Sequence, residues 1–115
     1  MNLNQLDIIV SDVPKVCADL ERILDKKADY VDDSFAQFTI GSHCLMLSQS
    51  HLVPLEQFQS GIILHIEVED VEQNYKRLKE LGADILYGPA VTDWGTESLL
   101  VKGPAGLVID FYRMK

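Results

Sequence analysis

LDIIVSDVPKVCADLERIL, residues 6–24, and HIEVEDVEQNYKRLKEL, residues 65–81, are one pattern written twice. A shift of 58 residues carries Leu6 onto Leu64, Ile8 onto Ile66, Val10 onto Val68, Asp12 onto Asp70 and Val13 onto Val71. Further on, Cys17 falls on Tyr75, Leu20 on Leu78 and Ile23 on Leu81. The identities are few, but the phase holds through two different periodicities. A shift close to half of the 115 residues marks a duplicated module.

Each copy opens with an alternating segment that predicts a strand, with Leu6, Ile8 and Val10, or Leu64, Ile66 and Val68, on one face. An aspartate follows at a helix N-cap position, and DVEQ in the second copy has capping-box spacing with Asp in place of Ser or Thr. Pro14 falls in the first helical turn, where its missing N–H costs little. Val13, Val16, Cys17, Leu20, Ile23 and Leu24 make one apolar stripe, and Val71, Tyr75 and Leu78 make the other. Gly82 stands where a helix ends in the left-handed conformation.

Three short strand candidates follow each helix. They are Tyr30–Val31, FAQFTI and HCLMLS in the first half, and DILYG, ESLLV and LVIDFY in the second. The predicted fold is therefore α+β: two tandem β-α-β-β-β modules forming a curved antiparallel sheet with the helices on its outer face. Module one spans 1–49, a linker 50–60, and module two 61–115, together one domain of 1–115. Alternation turns Gln5, Asp7, Ile9, Cys44, Met46, Ser48, Ile63, His65, Glu67, Val108, Asp110 and Tyr112 to the face away from the helices. Phe38 or its strand neighbours, with Trp94, are expected at the rim of that face.

Composition narrows the function. Apolar residues make up 47% and charged residues 24%, which fits a globular domain. Ten Lys and Arg against eighteen Asp and Glu leave a net charge of −8, the wrong sign for nucleic acid or an anionic membrane. The N-terminus lacks a signal-peptide pattern, and no apolar run approaches the ~20 residues of a membrane span. Cys17 and Cys44 have neither metal-ligand spacing nor a disulfide-rich setting, so reduced thiols in the cytoplasm are expected. Cys17, on the helix stripe, reads as a buried, inert thiol.

With the repeat, the segments IVSDV, IEVEDVEQNYKRLKELGA and WGTESLLVKGPAGLVIDFYR make the chain resemble the vicinal oxygen chelate superfamily, from Leu6 to about Arg113. That group includes glyoxalase I, extradiol dioxygenases, fosfomycin-resistance enzymes and bleomycin-resistance proteins. Gly103–Pro104 stands where the family ending has Asp-Pro. The resemblance implies a His or Gln on each module's first strand and a Glu or other donor on each last strand, together holding a metal. Here those slots fall on Gln5, Ile63, Met46 and Asp110. Ile63 has no donor atom, and a thioether is a poor ligand for the hard and borderline cations of such sites. Two remaining donors are fewer than the three or so that a protein metal centre uses.

No cofactor is therefore expected. The chain is closest in character to the metal-free, bleomycin-resistance-like branch, whose members sequester a drug. The expected partners are a small-molecule ligand, cationic or aromatic, and a second copy of the chain in a homodimer. The expected ligand-binding residues are Asp7, Met46, His65, Glu67, Trp94, Asp110 and Tyr112. The alternative is a lyase, isomerase or other enzyme, in which a displaced divalent cation sits on Asp7, His65 and Asp110, or Asp7 and His65 act as an acid/base pair. His65 lies one alternation beyond the Ile63 slot, ~7 Å along the strand, and the repeat shift carries Asp7 onto it. His43 and His51 are expected to be structural or exposed.

Overall fold

The computed structural model describes residues 1–56 and 61–115. The end of the expected linker, residues 57–60, lies outside the described residues. The chain divides into two compact units, Met1–Gln57 and Phe58–Lys115. Each is a β-α-β-β-β module.

In the first unit, β1 (Gln5–Ile9) leads into α1 (Val13–Leu24), followed by β2 (Tyr30–Val31), β3 (Phe35–Ile40) and β4 (His43–Ser48). The Asp12 carboxylate accepts the Lys15 N–H at 3.1 Å, which satisfies one of the helix's orphan donors. The helix ends without glycine: Asp25 itself takes the left-handed conformation, φ 53°. In the second unit, β5 (Ile62–Glu67) precedes α2 (Val71–Glu80), then β6 (Ile85–Val91), β7 (Thr96–Lys102) and β8 (Leu107–Met114). Asp70 caps α2 by accepting the Gln73 N–H at 2.9 Å, and Gly82 ends the turn beyond it at φ 74°.

The strand orders are β1-β4-β3-β2 and β5-β8-β7-β6. The last three strands of each module pair antiparallel, as expected for hairpins. The first strand joins the last one parallel, so both sheets are mixed. The reason is the connection: β1 must cross over through α1, and β5 through α2, before the sheet closes back on it.

Each unit has its own core between helix and sheet. In the first, Val13, Cys17 and Leu20 on α1 are buried, as are Ala36, Phe38, Leu45 and Leu47 on the sheet. Burial raises the Cys17 thiol above its ordinary value, with Glu21 adding to the effect, so the sulfur stays protonated and inert. In the second, Val71 and Leu78 on α2 are buried with Leu99, Val101, Leu107, Ile109 and Phe111. Phe38 is a correction: it is fully buried opposite Leu45 in the core and does not reach the rim of the other face.

The strand β6 runs beyond the expected DILYG to Val91, through a cis Gly88–Pro89 bond. Tyr87 pairs with Leu100 and Ala90 with Ser98, so three steps on β6 face two on β7, a bulge on the edge strand. An edge position is where a strand can accommodate proline.

Candidate functional site

Cross-strand register assembles the second unit's open sheet face row by row. Ile63 lies beside Val108, His65 beside Asp110 and Glu67 beside Tyr112. Asp110 in turn faces Leu100, and Tyr112 faces Ser98. All of these alternate with the residues that pack toward α2, so they share the opposite face.

The central pair is His65 and Asp110. The imidazole Nδ1 lies 2.8 Å from the Asp110 Oδ2, a charge-assisted hydrogen-bond distance. The two side chains have opposite surroundings: that of His65 is 60% exposed, while that of Asp110 is only 9% exposed. Asp110 Oδ1 is buried and has no hydrogen-bond partner among the described residues. The Tyr112 ring stands edge-on to the imidazole, with centroids 6.3 Å apart. Opposite Tyr112 in the register, Ser98 is buried and its hydroxyl is joined at 2.8 Å to that of Thr96, which reaches the Thr92 hydroxyl at 2.8 Å. This hydroxyl ladder was not among the expected site residues; the parity of Ser98 with Leu100, against Leu99 and Val101, is the signal that marks its face.

In the first unit the equivalent face carries Asp7 on β1, beside Met46 on β4. Ser48 Oγ donates to Asp7 Oδ1 at 2.8 Å, and His51 Nε2 lies 3.5 Å from Asp7 Oδ2. His51, expected to be structural or exposed, therefore adjoins Asp7, beside an open cleft of about 400 Å³ that includes Ile9 and Leu52. Each unit thus holds its own carboxylate–imidazole pair, built differently. The repeat partners Asp7 and His65 belong to different units, and each has a hydrogen-bonded or ion-pair neighbour in its own unit.

Trp94 sits between β6 and β7 in a turn closed by the Thr92 N–H on the Thr96 carbonyl, 2.8 Å. Gly95 follows at φ 95°. The indole is 74% exposed, so it does not anchor the turn by packing. Glu67 and Ile63 are exposed on either side of His65.

The four positions implied for a metal do not fit one. Ile63, 46% exposed, offers no donor, and Met46 offers a thioether. Asp110 turns one oxygen to His65 and buries the other. Within either unit, no three His, Cys, Asp or Glu side chains of the described residues come together.

The duplicated module and its open sheet faces define the class, and the sequence comparison agrees. The chain belongs to the Glyoxalase/Bleomycin resistance protein/Dioxygenase superfamily, whose family model matches residues 2–111. A solved structure described as a "conserved domain protein" is 84% identical over 100% of both chains, with a TM-score of 0.94. An integron cassette protein from the mobile metagenome of V. cholerae shares 20% identity, covering 100% of this chain and 96% of that one, at a TM-score of 0.80. A lactoylglutathione lyase from Agrobacterium tumefaciens shares 14%, covering 97% and 92%, at 0.78. The last two show the fold alone. No curated protein matches the chain. Among the described residues, no helix is long and apolar enough to cross a membrane.

Proposed function

We propose that this protein binds a small molecule without a metal, in the manner of the drug-sequestering, bleomycin-resistance-like members of its superfamily. The supporting observation is the donor set: Ile63 and Met46 occupy two of the four positions where metal-dependent relatives carry ligands. The face they belong to combines apolar area from Ile63 and Val108 with a few directional polar groups, His65, Glu67 and Asp110, the composition of a ligand site. The ligand-contacting set is Asp7, Met46, His65, Glu67, Trp94, Asp110 and Tyr112. Cationic and aromatic ligands suit a chain of charge −8 with an exposed indole.

Protein purified without chelator should carry no stoichiometric metal. A thermal-shift screen with glycopeptide and other cationic antibiotics should raise the melting temperature saturably; stabilisation is about 2.7 kcal/mol at a ligand concentration of 100 Kd. Stoichiometric Ni, Mn, Zn or Fe that disappears in His65→Ala, or no shift with any compound, overturns the reading.

The 2.8 Å contact between His65 and Asp110 favours a second reading, a metal-free acid/base enzyme. Turnover of thiol-hemiacetal or catechol substrates that survives chelator and is lost in His65→Ala would establish it in place of the first.

The same proposal includes a homodimer. Ile9 and Ile63 remain 39% and 46% exposed on the sheet faces opposite the helices, and apolar sheet faces call for a covering surface. Sedimentation equilibrium should give twice the chain mass of 12.9 kDa. A single-chain mass at micromolar concentration overturns this part. The free thiols Cys17 and Cys44 suit the cytoplasm.

A further inference from the structure

We propose that His65 and Asp110 form a tautomer-locked acceptor, through which the second unit selects aromatic ligands that present a hydrogen-bond donor. This deepens the small-molecule reading by naming the atom that recognises the ligand. Three observations carry it. The first is direction: a carboxylate only accepts, so the proton between the pair belongs to Nδ1, which donates to Asp110 Oδ2 over 2.8 Å. A neutral imidazole has one N–H, and with it committed to Asp110 the other nitrogen, Nε2, is left as a bare acceptor.

The second is the cost of the carboxylate. Asp110 is one of four buried polar or charged residues among those described, and its Oδ1 has no hydrogen-bond partner among the described residues. A buried acceptor left unpaired is destabilising by roughly 1–3 kcal/mol, and more when charged. Such groups are rare in folded proteins, and one that persists calls for a role. Holding the exposed imidazole in one tautomer is a role that the geometry directly provides.

The third is the surface around Nε2. The imidazole is 60% exposed, with Ile63 before it on the same strand face and the Tyr112 ring edge-on at 6.3 Å. An apolar side chain and an aromatic ring beside a single acceptor match a flat ring carrying an O–H or N–H. A site built to accept a donor discriminates against the analogue lacking it, because its own polar group is then left unpaired.

The test uses 4-cresol against 4-methylanisole, which differ in that the hydroxyl hydrogen is replaced by methyl. Both are titrated into the full chain at about pH 8, above the ordinary range of an imidazole and below the ionisation range of the phenol. The phenol should bind at least about tenfold more tightly, the size of one hydrogen bond in a half-open site. His65→Phe keeps a ring on an exposed position but removes the acceptor, and the preference should vanish. Long-range 1H–15N spectra supply an independent readout: wild-type His65 should carry its proton on Nδ1, and Asp110→Asn should shift it toward Nε2. Equal affinities for the two probes, a preference that persists in His65→Phe, or a wild-type imidazole protonated mainly on Nε2 would each overturn the proposal. A failure here, beside a positive thermal shift with antibiotics, would leave the binding reading standing.

Discussion

Phe38→Ala should lower the stability of the folded chain by about 3–5 kcal/mol, the cost of emptying a ring-sized volume in a packed core. Phe38 is fully buried in β3, opposite Leu45, with Ala36 two residues before it on the same face. Leu47, Val13 and Leu20, themselves fully buried, belong to the same unit's core. The backbone of a paired central strand gives the cavity little freedom to collapse, which keeps the loss toward the upper end. For a domain whose total stability is about 5–15 kcal/mol, this removes a large share. Urea denaturation followed by circular dichroism should show the midpoint fall sharply with its slope preserved. Trp94→Ala is the matching control: the indole is 74% exposed, and its removal should cost no more than about 0.5 kcal/mol. A loss below 1 kcal/mol at Phe38 would mean that the ring is not in the core.

Phe38 also marks a place where alternation was informative and the expectation at the rim departed from it. In FAQFTI the residues Ala36, Phe38 and Ile40 are all apolar at one parity, against Phe35, Gln37 and Thr39 at the other, so the local pattern favours Phe38 on the helix side. Register agrees: Phe38 lies opposite Leu45, and Gln37 opposite Met46. In Leu6–Val10 and Leu64–Val68 each strand runs directly into an Asp-capped helix whose stripe fixes the buried side. The modular plan was legible for that reason. Helix caps at Asp12 and Asp70 and the left-handed Gly82 were equally local, and stand where spacing puts them.

The pairings within the site were not local. Repeat symmetry relates Asp7 to His65 as equivalent positions of two modules, which is information of a different kind from contact within a module. Neighbours are set by strand register, and the parallel pairing of β5 with β8 joins residues 45 apart through a helix and two strands. A one-residue slip would have turned Asp110 to the helix side. Alternation could therefore say that His65 and Asp110 share a face, and could not say that they touch. The same limit applies to Asp7, whose partners Ser48 and His51 come from the far end of the module. His51 carried no periodic signal at all, because it lies beyond the last strand. At β6 the expected strand, DILYG, stopped at Gly88. The strand continues because an edge position and a bulge relieve the missing donor of Pro89.

Gly88→Ala should destabilise the chain by about 3 kcal/mol or more, combining a strained backbone with a collision. Gly88 sits at φ 85°, where an L side chain costs roughly 1–2 kcal/mol by itself. A Cβ there would also lie 2.3 Å from the Ser98 carbonyl oxygen and 3.0 Å from the Ala90 nitrogen. Both are backbone atoms, so no side-chain rotation relieves the contact, and β6 must move away from β7. That movement would pull at Ser98, which is buried, hydrogen-bonded through its hydroxyl to Thr96 and set opposite Tyr112. The substitution should therefore lower stability and also weaken binding of aromatic probes beside His65. Gly41→Ala isolates the two contributions: its φ is 60°, but nothing lies within 4 Å of the added carbon. It should cost about 1 kcal/mol from the backbone alone. Calorimetry of the two variants decides the matter. Equal losses would show that the approach of Gly88 to Ser98 is not tight, whereas a gap of about 2 kcal/mol would measure how firmly the bulge holds the edge strand against the site.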